Sequence, residues 1–302
     1  MPQKKEDKDL SEYGFSARTG KLQVNRPDIV KKEIKRQEAE TFTTKPQDND
    51  QLDIDEIKDT VEKKLKKDKS NRKGGRIATG IHGLDPLMSG GFEDNSVNLV
   101  GGGAGSGKSI FCMQFIINGI EKYNENAIYI TFEESKDKFF KHMSKFGWDL
   151  SKYERENKLT FIQYTPSQIN RVIEEGSGLI EAALQKTNAK RIVIDSLTAF
   201  TLLQKDELAK RQASLALFRQ IQKWGCTALL TAEHEPDIDR HQSTIMEFEV
   251  DGVLLLYNLR RGDIRERSLE ILKLRGTKHS SKIFPMKITD AGVIVYPEET
   301  IF

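Results

Sequence analysis

Four short stretches of this chain collect the residue types that handle phosphate. The first is GGGAGSGKS, in which Gly102, Gly103, Ala104, Gly105 and Ser106 lead into Gly107, Lys108 and Ser109. A glycine, four residues and then Gly-Lys-Ser make the P-loop pattern, which gains meaning between an apolar run and a helical one. Its glycines let backbone N–H groups converge on phosphate oxygens, and the following helix N-terminus adds partial positive charge. In that arrangement Lys108 reaches the outer phosphates of a bound nucleotide and Ser109 ligates magnesium. The second stretch, RIVIDS (191–196), is an apolar run ending in Asp195, with Ser196 beside it as a candidate nucleotide-site group. A carboxylate at the C-terminal edge of a sheet is placed to face the same magnesium.

The third stretch is YITFEES (129–135), with adjacent acids Glu133 and Glu134. If strand alternation persists past Phe132, Tyr129, Thr131 and Glu133 share one face and Glu134 turns away. A carboxylate near a terminal phosphate opposes ground-state binding, yet it can orient a water and accept its proton. Magnesium and Lys108 would offset part of the repulsion. Alone, the pair also fits the start of the following helix, where acids complement the dipole. The fourth is LKLRGTKHS, where strand spacing sends Lys273 and Arg275 to one face. Two such cations fit a solvated strand face, and they fit charge-stabilising fingers inserted into a neighbouring subunit's site.

The elements that must position these groups follow from periodicity. Strands are expected at 96–100, 126–132, 159–164, 191–195 and 227–232, and helices at 109–123, 136–147, 177–187 and 207–225. Short apolar runs alternating with helices imply an α/β fold with a mainly parallel sheet covered on both faces. The C-terminal part differs: 253–274 and 284–297 read as β-hairpins turning near 261–263 and 290–292.

The body is expected to span 75–302, preceded by an extension at 1–74 in which nearly half the residues are charged. Such a segment buries too little apolar surface to offset its ordering entropy, so it is expected to be largely disordered or partly helical. Ile29, Val30 and Ile34 form one helical set there, and Ile54, Ile57, Val61 and Leu65 another, a possible surface for a protein partner. The 302 residues carry a net charge of +2 with 31% charged residues, a balance that selects no class of partner. Cys112 and Cys226, far apart in apolar stretches, suit a reduced cytoplasmic protein. Neither a signal-peptide run nor a membrane span is expected.

Taken together, RIATGIHGLDPLMSGGFEDNSVNLVGGGAGSGKS resembles the opening of a KaiC-like ATPase domain of the RecA superfamily. The matching positions are Arg76, Thr79–Gly80, Gly83–Leu84–Asp85 and Gly90–Gly91, followed by the P-loop. The resemblance continues through FEES, RIVIDSLTAF, TAEHE and EILKLRGTKHS, across 76–297. It implies a RecA-like P-loop NTPase core, ATP and Mg2+ as ligands, and a homo-oligomer, usually a hexameric ring, with ATP sites between subunits. It also implies that Glu133 and Glu134 are catalytic acids, that Asp195 is the Walker B aspartate, and that Lys273 and Arg275 act in trans. His234, in TAEHE, would sense the terminal phosphate. The clock protein of that family carries two such domains and this chain one, so a clock role is not inferred; the first functional reading is an oligomer that hydrolyses ATP slowly as a regulator. The resemblance leaves 1–74 without a parallel.

Two other functions compete with that reading. A RecA- or RadA-like DNA-dependent ATPase of repair or recombination would need DNA-contacting loops, and the acid-rich segment 233–252 opposes phosphate contact. The basic run KKLKKDKSNRK (63–73) keeps nucleic acid open as a partner, through binding that falls steeply with salt. A non-hydrolysing ATP-binding scaffold is the other, and the presence of Lys108, Ser109, Glu133, Glu134, Asp195, Lys273 and Arg275 weighs against it. Autophosphorylation is left open.

Overall fold

The computed structural model describes residues 75–165, 168, 178–202, 204–233 and 245–299. The expectations for the N-terminal extension, and that for His234, lie outside the described residues. In chain order the elements begin with β1 (Arg76–Ile77), β2 (Phe92–Glu93), β3 (Val97–Gly102) and α1 (Lys108–Tyr123). Next come β4 (Ala127–Thr131), α2 (Lys136–Met143), α3 (Leu150–Arg155), β5 (Leu159–Gln163) and α4 (Gly178–Thr187). β6 (Arg191–Asp195), α5 (Leu197–Thr201), α6 (Glu207–Trp224) and β7 (Thr227–Glu233) follow. The described part ends with α7 (Ile245–Glu249), β8 (Gly252–Arg261), β9 (Ile264–Leu274), β10 (Ile283–Thr289) and β11 (Gly292–Val295).

Nine strands form one sheet in the order β11-β10-β9-β8-β3-β7-β6-β4-β5. The six from β8 to β5 are parallel, and β9, β10 and β11 extend the sheet antiparallel. The expected hairpins therefore continue the sheet that carries the phosphate loop. β3 is central, and the chain leaves it through α1 to reappear in β4, beyond β7 and β6. That crossover opens a crevice at the C-terminal strand edge where α/β folds bind ligands.

Strand alternation sorts the core onto two faces. Val97, Leu99, Ile128, Ile130, Ile192, Ile194, Ala228 and Leu230 pack in one apolar cluster. Val100, Ala127, Tyr129, Val193 and Leu229 pack in the other, which holds the apolar side of α1. Because both faces are covered, apolar residues dominate both faces of these strands, as parallel sheets require. The helix expected over 136–147 divides: α2 stops at Met143, and a 3-10 turn follows at Ser144–Phe146 before Gly147. Among the described residues no helix is long and apolar enough to cross a membrane.

The motif ahead of the phosphate loop is a brace. Asp85 accepts from the Thr79 amide at 2.7 Å, the Thr79 hydroxyl at 2.7 Å and the Gly80 amide at 2.9 Å. A β-carbon on Gly83 would lie 2.0 Å from the Val295 carbonyl oxygen, so this strap can reach β11 only with glycine there.

At the N-terminal end of the interior strand β6, Arg191 is fully buried. Its guanidinium pairs with Glu125 at 2.7 Å, donates to the Phe115 carbonyl at 2.8 Å and lies 4.4 Å from the Phe115 ring centroid. Burial pulls its pKa down and Glu125 pushes back. Gly119 of α1 leaves room for it, since a β-carbon there would meet Arg191 Nε at 2.3 Å. Gly119→Ala would gain about 1 kcal/mol of helix propensity, but crowding a pinned guanidinium costs about 1–3 kcal/mol. The substitution is expected to lower the urea midpoint; a midpoint above wild type would show that Arg191 yields.

Candidate nucleotide site

Three hydroxyls converge on one carboxylate. Asp195 ends β6, and strand parity points it toward the face covered by α1. Tyr129 on β4 and Thr231 on β7, the strands flanking β6, have the same parity. Tyr129 Oη donates to Asp195 Oδ2 at 2.6 Å, and Thr231 Oγ1 donates to Oδ1 at 2.5 Å. Ser109, in the first turn of α1, donates to Oδ2 at 2.7 Å. The carboxylate is 9% exposed. Burial holds the Tyr129 hydroxyl far above its usual range and Asp195 adds to the effect, so Tyr129 remains a donor across the physiological range. The peptide between Asp195 and Ser196 is cis.

The phosphate loop joins β3 to α1. Gly105 (φ +71) and Gly107 (φ +102) occupy the left-handed region, where a side chain is strained, and Gly107 is the N-cap of α1. A β-carbon on Gly102 would meet Ser106 Oγ at 2.5 Å and the Leu256 carbonyl oxygen at 2.6 Å. Lys108 Nζ donates to the carbonyls of Gly102 and Gly103 at 2.9 and 3.1 Å, which folds it back over the loop. From β8 and β9, Asn258 donates to the Ala104 carbonyl at 3.2 Å, and Arg267 to that of Gly105 at 3.0 Å. Ser106 Oγ is buried without a hydrogen-bond partner. These residues fit a magnesium-bound phosphate chain: left-handed glycines at a helix N-terminus, an ammonium within the loop, and a hydroxyl–carboxylate pair of hard oxygens. Ser109 and Asp195 could hold the metal.

The two glutamates separate. Glu133 Oε1 accepts from Ser196 Oγ at 2.7 Å, and the Phe132 amide donates to the Asp195 carbonyl at 3.0 Å, so Glu133 leaves the sheet beside Asp195. Glu134 lies over α2, 3.1 Å from His142 Nδ1 and 3.3 Å from Lys138 Nζ. Ser196, expected at the nucleotide, also accepts from the Ala199 amide at 3.2 Å, capping α5. Its hydroxyl is engaged by Glu133 and that cap.

Lys273 and Arg275 meet at one place, but within their own subunit. β9 ends at Leu274, so strand parity no longer places Arg275. Lys273 Nζ donates to the carbonyls of Glu247, Phe248 and Val250 at 2.9, 3.1 and 2.7 Å. Arg275 donates to the Phe248 carbonyl at 2.7 Å and lies 3.6 Å from Asp251. Both cations thus cap the C-terminal end of α7, where carbonyls lack intrahelical partners. Burial and the Arg275 charge lower the Lys273 pKa.

Sequence reasoning missed Tyr129, Thr231, Asn258 and Arg267. The first two carried a usable signal, each being a hydroxyl inside an apolar strand at the parity of Asp195. The other two act across the sheet from β8 and β9, and nothing local marks them.

The sequence model of the family described as "ATPase: KaiC" matches residues 77–300. A UPF0273 protein of Methanocaldococcus jannaschii is 36% identical over 239 residues, covering 75% of this chain and 98% of that protein. The circadian clock oscillator protein KaiC of Synechococcus elongatus is 35% identical over 231 residues, 74% of this chain. The match spans only 44% of that clock protein. Among solved structures, a KaiC-like protein from Pyrococcus horikoshii aligns with a TM-score of 0.65 at 34% identity. That alignment covers 74% of this chain and 99% of the other. With its RecA-like P-loop fold, the chain belongs to the KaiC-like ATPase family.

Proposed function

We propose that this protein hydrolyses ATP slowly as a magnesium-dependent, regulatory oligomer whose sites lie between subunits. The observation that carries the reading is the 2.7 Å bond from Ser109 to Asp195, which ties the phosphate-loop helix to the strand-end carboxylate. The amides at the α1 N-terminus would bind the phosphates, and Lys108 would exchange the Gly102 and Gly103 carbonyls for outer phosphate oxygens. When bound, magnesium supplies charge neutralisation along the phosphate chain. Glu133 would orient a water and take its proton as that oxygen bonds the terminal phosphorus and the bond to the ADP oxygen breaks, leaving ADP and phosphate. Ser196 holds the Glu133 carboxylate in place for that step. Glu134 has a supporting role, since its carboxylate is already engaged by Lys138 and the His142 ring nitrogen. Lys273 and Arg275 would stabilise charge in a neighbouring copy's site, releasing α7 carbonyls to reach it. A protein partner through residues 1–74 belongs to the same proposal, because regulation needs an input.

Glu133→Gln should lower kcat by about 100-fold or more, with ADP affinity held within a few-fold. Glu134→Gln should cost only about threefold, because an amide retains hydrogen bonding where a salt bridge was worth little. Phosphate release and fluorescent-ADP binding measure both, and the reverse ranking would reject Glu133 as the base. Chelating magnesium should abolish turnover, and Asp195→Asn should raise the half-saturating Mg2+ concentration by roughly tenfold or more. A Mg2+ titration that Asp195→Asn leaves unmoved would remove this residue from the metal site. Mixing tests the assembly: inactive Arg275→Ala and Glu133→Gln subunits should regain turnover together, since some interfaces pair an intact glutamate with an intact arginine. A mixture as silent as its components would place Arg275 in its own subunit's chemistry or in its fold.

A further inference from the structure

The strap that precedes the phosphate loop grips the stretch that carries Arg275. Arg76, in β1, donates through one arm of its guanidinium to the Gly91 carbonyl at 2.9 Å and through the other to Thr277 Oγ1 at 2.6 Å. The Thr277 hydroxyl donates onward to the carbonyl of Arg275 at 3.2 Å. Two more bonds join the same segments: Ser89 Oγ donates to the Lys278 carbonyl at 2.7 Å, and the Ser280 amide to the Leu87 carbonyl at 3.1 Å. No strand or helix runs between Leu274 and Ile283, so the sheet ladder does not hold this stretch. Its left-handed Gly276 (φ +63) turns the chain directly after Arg275.

We propose that Arg76 is a positioning residue for nucleotide turnover, acting through Thr277 to fix the backbone from which Arg275 reaches a neighbouring copy's site. The inference rests on reading Arg275 as a cation that acts in trans. Arg275 stands just past the end of β9, held on one side by its own amide bond to the Asp251 carbonyl at 2.8 Å. The Arg76–Thr277 relay holds its carbonyl on the other side. A long side chain crossing an interface keeps its reach only if its backbone is anchored, and misplacement by about 1 Å costs up to roughly 100-fold in rate. The residue type suits the task. One planar fork spans two acceptors in separate segments, whereas a lysine ammonium offers no such fixed pair of directions.

The test compares Arg76→Ala, Arg76→Lys, Thr277→Val, Thr277→Ser and Arg275→Ala, with turnover, ADP affinity and mass in solution measured for each. Thr277→Val should lower kcat by roughly tenfold while ADP affinity and assembly stay near wild type. Thr277→Ser, which keeps the hydroxyl, should restore it. Arg76→Lys should fall short of wild type, and Arg76→Ala with Thr277→Val should be no slower than the worse single variant. Thr277→Val subunits should be rescued by Glu133→Gln subunits, as for any defect delivered in trans. Wild-type kcat in Thr277→Val, a slowing that merely follows loss of assembly, or additive losses would each overturn the relay. Failure of the underlying reading looks different: Arg275→Ala itself would then turn over at the wild-type rate. If Arg76→Ala does not fold, Thr277→Val still decides, because its shape is kept and the Gly91 bond is untouched.

Discussion

A buried carboxylate must be solvated by the protein, and at Asp195 that requirement fixes the geometry of everything around it. An unpaired ionised acid at this depth would cost several kcal/mol, so hydroxyls stand in for water. Their directions are set by the sheet: Tyr129 and Thr231 come from the two strands that flank β6, at the parity that faces α1. Ser109 comes from α1 itself, so its bond fixes how the helix seats over the sheet edge. Seating the helix seats the phosphate loop, since Gly107 is both the loop's end and the helix N-cap.

If the proposed function holds, the same edge must hold negative charge beside a polyanion. The chain answers with unequal treatment of two adjacent acids. Glu134 is drawn onto α2 by Lys138 and His142. Glu133 stays beside Asp195 with one carboxylate oxygen held by Ser196. Under the proposed function, repulsion of a phosphate chain falls to Glu133 and Asp195, with Glu133 where proton acceptance would be useful and Lys108 folded over the loop as a nearby cation.

Much of this was legible in the sequence because local rules generate it. The Gly-rich loop between a strand and a helix, the apolar strands and the Asp195 terminus are each contained within a dozen residues. The separation of Glu133 from Glu134 was expected only if alternation ran past Phe132; β4 stops at Thr131, and the two acids part through their partners Ser196, Lys138 and His142. What stayed hidden depends on pairing between distant segments. Lys273 and Arg275 were expected on one strand face, yet β9 stops between them and both turn to carbonyls near α7. Arg76 matched a family motif without an evident task, and its partner Thr277 lies 201 residues away. Asn258 and Arg267 support the phosphate loop from strands whose neighbours follow from sheet order, which periodicity does not encode.

β6 begins with one buried charge and ends with another, and the contrast between them separates structure from chemistry. Arg191 is held by a charged partner, the Glu125 carboxylate, together with a helix carbonyl and an aromatic face. Exchanging any of them would strand a buried cation, so that end of the strand is locked. Asp195 is held by neutral hydroxyls, which can rotate, donate elsewhere and accept as well as donate. A cation arriving at Asp195 and Ser109 would meet oxygens able to reorient toward it without leaving a charge unpaired. Composition alone makes the two ends of β6 look alike, as buried ionisable residues on an apolar strand. Their partners make one of them a fastening and leave the other suited to the metal-binding role proposed for it.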